Sequence, residues 1–289
     1  TSNLDEFFMV RVGSLMDLDL LAPEETENKS GKTPRQQLTM IYDAVRPLIR
    51  MRDSIYFRLM DELKQKDIVD IPYAELTGSS RDYVHQYYRD HIRPLLSPQI
   101  IDHNHPFPHL KNKALYGVAL LRRKTKTLLG IVPVPESVPP ILMLPDQPGA
   151  YVRTETILEY YLKKIFHIYV IEEQAIVSVT RNADISYDEE KFDDDGPDFR
   201  SHMTKLLRLR ERLSPVRLES QGDAPELLHA LQERLKLTEQ QTYVCRCPLV
   251  MGYAYDLNFA DQTLYDPPYT PVYPAYLRKD VSMVQQIRQ

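Results

Sequence analysis

Apolar positions recur along this chain first with helical spacing and then in a mixed texture. Near the start, Leu4, Phe7, Phe8 and Leu15 fall on one helical face. Ser2 or Asn3 is placed to cap that helix, with Asp5 and Glu6 in its first turn. Residues 22–32 are polar and turn-rich and read as a loop. Thr33-Pro34-Arg35-Gln36 then forms a helix start. Thr33 caps, Pro34 suits the first helical position, and Gln36 closes a capping box. Leu38, Ile41, Val45, Leu48, Arg52, Ile55, Leu59 and Leu63 follow at three- and four-residue spacing. They predict one long helix reaching about residue 65, bent near Pro47. This helical pair, residues 1–67, reads as a first domain.

From residue 68 the texture changes, and residues 68–271 read as a second domain. Helices are predicted over Ser79–Leu95, Thr154–Phe166, Phe199–Leu213 and Ala224–Leu235. Strands are predicted over Ala114–Leu121, Thr127–Val134, Ala175–Thr180 and Val216–Glu219, the first two joined by a turn at 122–126. The apolar run Ile165–Ile171 suits a buried strand. Asp102–His109 is a loop rich in Pro and His. The fold class is α+β, a helical N-terminal domain of long helices followed by a mixed head. The tail from Leu264 carries Pro267, Pro268, Pro271 and Pro274 and reads as an extended linker.

Composition narrows the class. Of 289 residues, 43% are apolar and 27% charged, the balance of a globular protein with a core. No apolar run approaches the ~20 residues of a membrane span. The opening Thr-Ser-Asn-Leu-Asp-Glu lacks the basic-then-apolar order of a signal peptide. It also lacks Met, so position 1 is a processed end or an arbitrary cut. Cys245 and Cys247 have no second pair to complete a zinc site and read as reduced thiols on or near a strand. These features fit the cytoplasm. The net charge of −5 argues against a nucleic-acid partner and confines any polyanion to a local basic patch.

Several motifs invite chemistry, each with a plainer reading beside it. Gly31-Lys32-Thr33 resembles the end of a phosphate loop, but Thr26 stands where that motif needs a glycine. His103, His105 and His109 are metal-ligand types, on a Pro-rich loop instead of a helix face. Asp188-Glu189-Glu190 and Asp193-Asp194-Asp195 suit either a hard cation or a solvated loop. Lys205, Arg208, Arg210 and Arg212, with Arg217 just beyond, form a basic stripe that either steers anionic phosphates or pairs with neighbouring acids. Spacing alone names no reaction.

Longer segments do. Ser2-Asn3-Leu4-Asp5-Glu6-Phe7-Phe8-Met9-Val10-Arg11-Val12 resembles the signature of the polyphosphate kinases that work through a phosphohistidine. His105-Pro106-Phe107-Pro108-His109-Leu110-Lys111-Asn112-Lys113 is similar to a second segment of that family. Val179-Thr180-Arg181-Asn182-Ala183-Asp184 with Asp188-Glu189-Glu190 resembles a third, and Val216-Arg217-Leu218-Glu219 a fourth. Leu264-Tyr265-Asp266-Pro267-Pro268-Tyr269-Thr270-Pro271 and Ile287-Arg288-Gln289 resemble the entry into the family's first catalytic domain. The matches stand in family order.

The resemblance implies part of a helical N-terminal domain, a head used in dimer contacts, and, at 272–289, the start of a catalytic domain of phospholipase-D type. It implies reversible transfer of the terminal phosphate of ATP to a histidine and then to polyphosphate, with magnesium bound downstream of this chain. Splitting one hard transfer in two is nucleophilic catalysis. Asn3 matches the family's adenine contact, while the phosphorylated histidine and phosphate-clamping arginines have no counterpart here. The implied partners are ATP or ADP, inorganic polyphosphate and a second copy of the chain. The rival expectations are a standalone dimerisation module and a polyphosphate sensor built on the 205–217 stripe.

Overall fold

The chain's structure is a computed structural model that describes residues 2–102, 105–182, 214–257, 262–272 and 282–287. The described residues through Asp256 form one compact unit, and those from Leu257 form another. In the first unit, strands pair in helix-covered sheets, an α+β architecture.

The N-terminal segment forms α1 (Ser2–Phe7), a π-helical turn (Phe8–Val12) and α2 (Gly13–Leu21). Because α1 already begins at Ser2, Asn3 lies inside the helix, not ahead of it as a cap. Helix α3 (Pro34–Lys64) starts as its sequence dictates. Thr33 Oγ1 accepts from the Gln36 amide at 3.3 Å, and Gln36 Oε1 accepts from the Thr33 amide at 3.1 Å. Pro47 lies within α3.

Next come β1 (Val69–Asp70) and α4 (Gly78–Tyr87). A π turn at Tyr88–Ile92 and a 3-10 turn at Arg93–Leu95 carry on the predicted helix, and β2 (Gln99–Ile101) follows. The hairpin β3 (Leu115–Arg123) and β4 (Lys126–Pro133) is longer than its sequence pattern suggests. Its turn is only Lys124-Thr125, with Lys124 at φ 56°. After β5 (Ile141–Met143), β6 (Ala150–Arg153) and α5 (Thr154–Ile165) comes β7 (Val170–Arg181).

The apolar run 165–171 is therefore not a strand. It closes α5, turns through Phe166–Tyr169, and only then enters β7. Phe166 is 2% exposed in the core, whereas Ile168 is 57% and Val170 66% exposed. Apolar content alone did not reveal that three environments meet there.

The first unit ends with β8 (Pro215–Gln221), α6 (Pro225–Leu235) and β9 (Thr242–Cys245). The main sheet runs β2-β4-β3-β7-β8-β9, antiparallel except for the parallel β8–β9 pair. A smaller sheet runs β1-β6-β5. On one face of the main sheet, Val118, Val177 and Leu218 pack against Leu227, Leu228 and Leu231 of α6. The other face takes α5 at Ala119 and Leu121, and the N-terminal helices at Ile176, Val216 and Tyr243. Phe8, Val12, Leu38, Tyr42, Val45 and Ile49 supply the helical side of that contact. The predicted helical pair thus shares one core with the head's sheet.

In the second unit, residues 265–272 are exposed and without helix or strand, and α7 spans Met283–Ile287. No helix among the described residues is long and apolar enough to cross a membrane. The predicted helix at 199–213, the acidic runs at 188–195, and Lys205, Arg208, Arg210 and Arg212 lie outside the described residues, as does His103.

Candidate functional site

The described parts of the four sequence segments singled out within residues 2–219 meet where α1 lies on the main sheet. Asp5, one turn into α1, ion-pairs with Arg217 of β8 and with Lys113 Nζ at 2.9 Å. Arg217 is 1% exposed. Its guanidinium donates to Thr180 Oγ1 of β7 at 2.8 Å and pairs with Glu219 Oε2 at 3.1 Å. It also stands 4.6 Å over the Phe8 ring. Arg217 is not part of a surface stripe. Strand alternation turns it, with Glu219, toward the N-terminal helices, where acids and a π-face compensate its burial.

The loop before β3 completes the seat. Asn112 Nδ2 reaches Met9 Sδ at 3.6 Å, while its Oδ1 accepts from the Arg181 amide at 2.9 Å. Arg181 Nε donates to the Leu110 carbonyl at 2.6 Å. Lys113, at φ 61°, donates its amide to the Val179 carbonyl at 2.8 Å. Asn182 donates to Asp17 Oδ2 at 2.9 Å, and a β-carbon at Gly13 would collide with the Asn182 side chain. Glycine is required at that crossing for close approach.

Behind this seat, Arg52 of α3 pairs with Glu219 Oε1 at 3.2 Å. Asp53 accepts from the amides of Arg246 and Cys247 at 3.0 and 3.1 Å, tying α3 to the end of β9. Cys245 and Cys247 are free and buried. Burial, the largest influence, pushes both thiols up to about 12, so they stay protonated and are poor nucleophiles. Burial alone would raise the Asp5 carboxyl too. The hydrogen bonds and charges of Arg217 and Lys113 outweigh it and hold Asp5 below the usual carboxylate range.

Asn3 lies on the exposed side of α1, two residues from the anchored Asp5. Its amide can donate and accept at once, the capacity a base edge requires. The cations of the seat, Arg217, Lys113 and Arg52, already face carboxylates. They supply no free clamp for a triphosphate. Among the described residues, no three His, Cys, Asp or Glu side chains gather as metal ligands. His105 bonds Asp102 Oδ1 at 2.6 Å, a loop contact. The sequence segments held the seat residues, but their joint role was hidden because Asp5 and Arg217 are 212 positions apart.

Comparison with known proteins follows the same segments. The family model of the polyphosphate kinase N-terminal domain matches residues 1–71, and that of the polyphosphate kinase middle domain matches 79–257. A polyphosphate kinase of Halalkalibacterium halodurans is 29% identical over 97% of this chain and 43% of its own length. One of Synechocystis sp. is 34% identical over 84% of this chain and 35% of its own length. The crystal structure of polyphosphate kinase from Porphyromonas gingivalis shares the fold, with TM-score 0.70 and 19% identity over 99% of this chain and 40% of that one. The chain spans less than half the length of these relatives. Since a middle-domain match alone covers most of its residues, the chain belongs to the polyphosphate kinase family.

Proposed function

We propose that this chain is the front portion of an ATP–polyphosphate phosphotransferase that works through a phosphohistidine, and that its part is to present Asn3 to the adenine of ATP. The observation that carries this reading is the seat of α1. Side chains from the other family-like segments fix that helix, Arg217 and Lys113 by ion pairs to Asp5 and Thr180 by a hydrogen bond to Arg217, while Asn3 stays exposed beside them. A side chain that reads a base must be held still, and a rigid first turn does that. In this reading the phosphorylated histidine, the phosphate-clamping arginines and the magnesium belong to the portion of the relatives that residues 1–289 do not span. The head provides contacts to a second copy, and the enzyme works in the cytoplasm.

The test is a phosphoryl-transfer assay with ATP, magnesium and polyphosphate. The full-length gene product turns over and accumulates an acid-labile phosphohistidine. Residues 1–289 alone give no turnover above a no-protein control. Turnover by residues 1–289 contradicts the reading.

A further inference from the structure

A groove of about 540 Å3 opens between α4 with its following turns and the C-terminal end of α5. Its floor is aromatic. Tyr88 and Tyr161 stack with centroids 3.6 Å apart, and both are buried. Its walls are cationic. Arg89 and Arg93 come from one side and Lys164 from the other, with the His167 ring beside it, and His85 sits against the floor with Nδ1 2.5 Å from the Tyr161 hydroxyl. Among the described residues, no carboxylate lines the groove. Arg89 is paired with Asp90 at 2.8 Å, but neither Arg93 nor Lys164 forms an ion pair among the described residues. Lys164 Nζ instead rests 5.0 Å from the Tyr161 centroid. Beyond the groove, Arg123 stands over Tyr169, two residues past His167, and extends the basic surface.

This concentration of positive charge is set in a chain of net charge −5. Arg89 and Arg93, four apart in sequence, are a like-charge pair with a mutual cost. Like charges gathered around one groove repel one another. An anion in the groove relieves that repulsion, and the concave surface over an aromatic floor focuses its attraction. Cations arriving from two separate elements suit several linked phosphates better than a single one.

We infer that this groove is a docking site for an oligophosphate chain, with Arg93 and Lys164 as its principal contacts. The ligand class follows from the charges, and naming inorganic polyphosphate as the occupant rests on the function proposed above. The site then holds part of a polymer whose end is being extended or shortened elsewhere, so binding here lowers the KM for polymer in the full-length enzyme.

The experiment is a calorimetric titration of residues 1–289 with medium-chain inorganic polyphosphate, with parallel titrations of inorganic phosphate and ATP. Wild type is compared with Arg93→Ala/Lys164→Ala and with Lys29→Ala, an exposed lysine outside the groove. Both groove side chains lack ion pairs, so their removal leaves the fold intact, which thermal melting checks. The expected result is polyphosphate binding that weakens at least about tenfold in the double variant. It is unchanged in Lys29→Ala and far weaker for ATP or phosphate. Absent binding, or a double variant that binds like wild type, overturns the site. Equal binding of ATP and polyphosphate overturns the polymer as occupant. The phosphotransfer assay of the full-length enzyme reads the earlier proposal without this groove.

Discussion

At the scale of single residues, the decisive feature is a buried guanidinium. Arg217 faces two carboxylates, a hydroxyl and a ring. Losing one carboxylate leaves a nearly dry cation undercompensated. Asp5 binds its proton less tightly folded than unfolded. Between the two pKa values the unfolded chain holds more protons, so stability rises with pH there. The contribution is complete above the ordinary aspartate value of about 4 and is lost as pH falls through the lower folded value. Asp5→Asn therefore melts below wild type at neutral pH, and the gap closes on acidification below about pH 4. A gap that stays constant with pH would mean the Asp5 charge is not what holds α1. Pairing with a neighbouring acid was one of the two sequence readings and holds for Arg217 with Glu219, but its burial was not legible locally. A charged residue in a short strand reads as surface, because charges are almost never fully buried unless paired. Of the partners that reverse this reading, Glu219 shares the strand, while Asp5, Thr180 and Phe8 lie on other elements.

Among the elements, α3 and β6 mark the two ends of legibility. Helix α3 announces itself, since its capping box and three-to-four spacing are both local. Thr33→Ala removes the side-chain acceptor and costs about 1 kcal/mol. Circular-dichroism melting should show Tm about 2–4 °C lower, whereas an unchanged Tm would make the cap redundant. Strand β6, by contrast, is four buried residues paired in parallel with β1, some eighty positions earlier. Strands β1, β2, β5 and β9 are as short or shorter. Their edges are defined by partners, not by alternation, so no sequence window contains them. The run at 165–171 failed for a related reason: length and hydrophobicity match a strand, but two turn hydrogen bonds interrupt it.

For the molecule as a whole, helices and sheet are one construction. The N-terminal helices cover the β7–β8–β9 end of a sheet face whose other half is covered by α5. Sequence texture divided the chain at residue 67, yet Leu38, Tyr42, Val45 and Ile49 of α3 pack on the head's strands, whereas Leu48, Ile55 and Leu59 of the predicted stripe are exposed. The resemblance carried the family and order of segments. Convergence of those segments on α1 needed three dimensions. The account turns on Asn3 reading adenine from that fixed helix. The most direct measurement is steady-state kinetics of the full-length gene product carrying Asn3→Asp, with ATP and GTP compared. Aspartate keeps a favourable charge at a helix N-terminus but loses the amide donor. The account predicts an ATP KM raised about tenfold, kcat little changed and the preference over GTP narrowed. An unaltered ATP KM and an unaltered preference would contradict it.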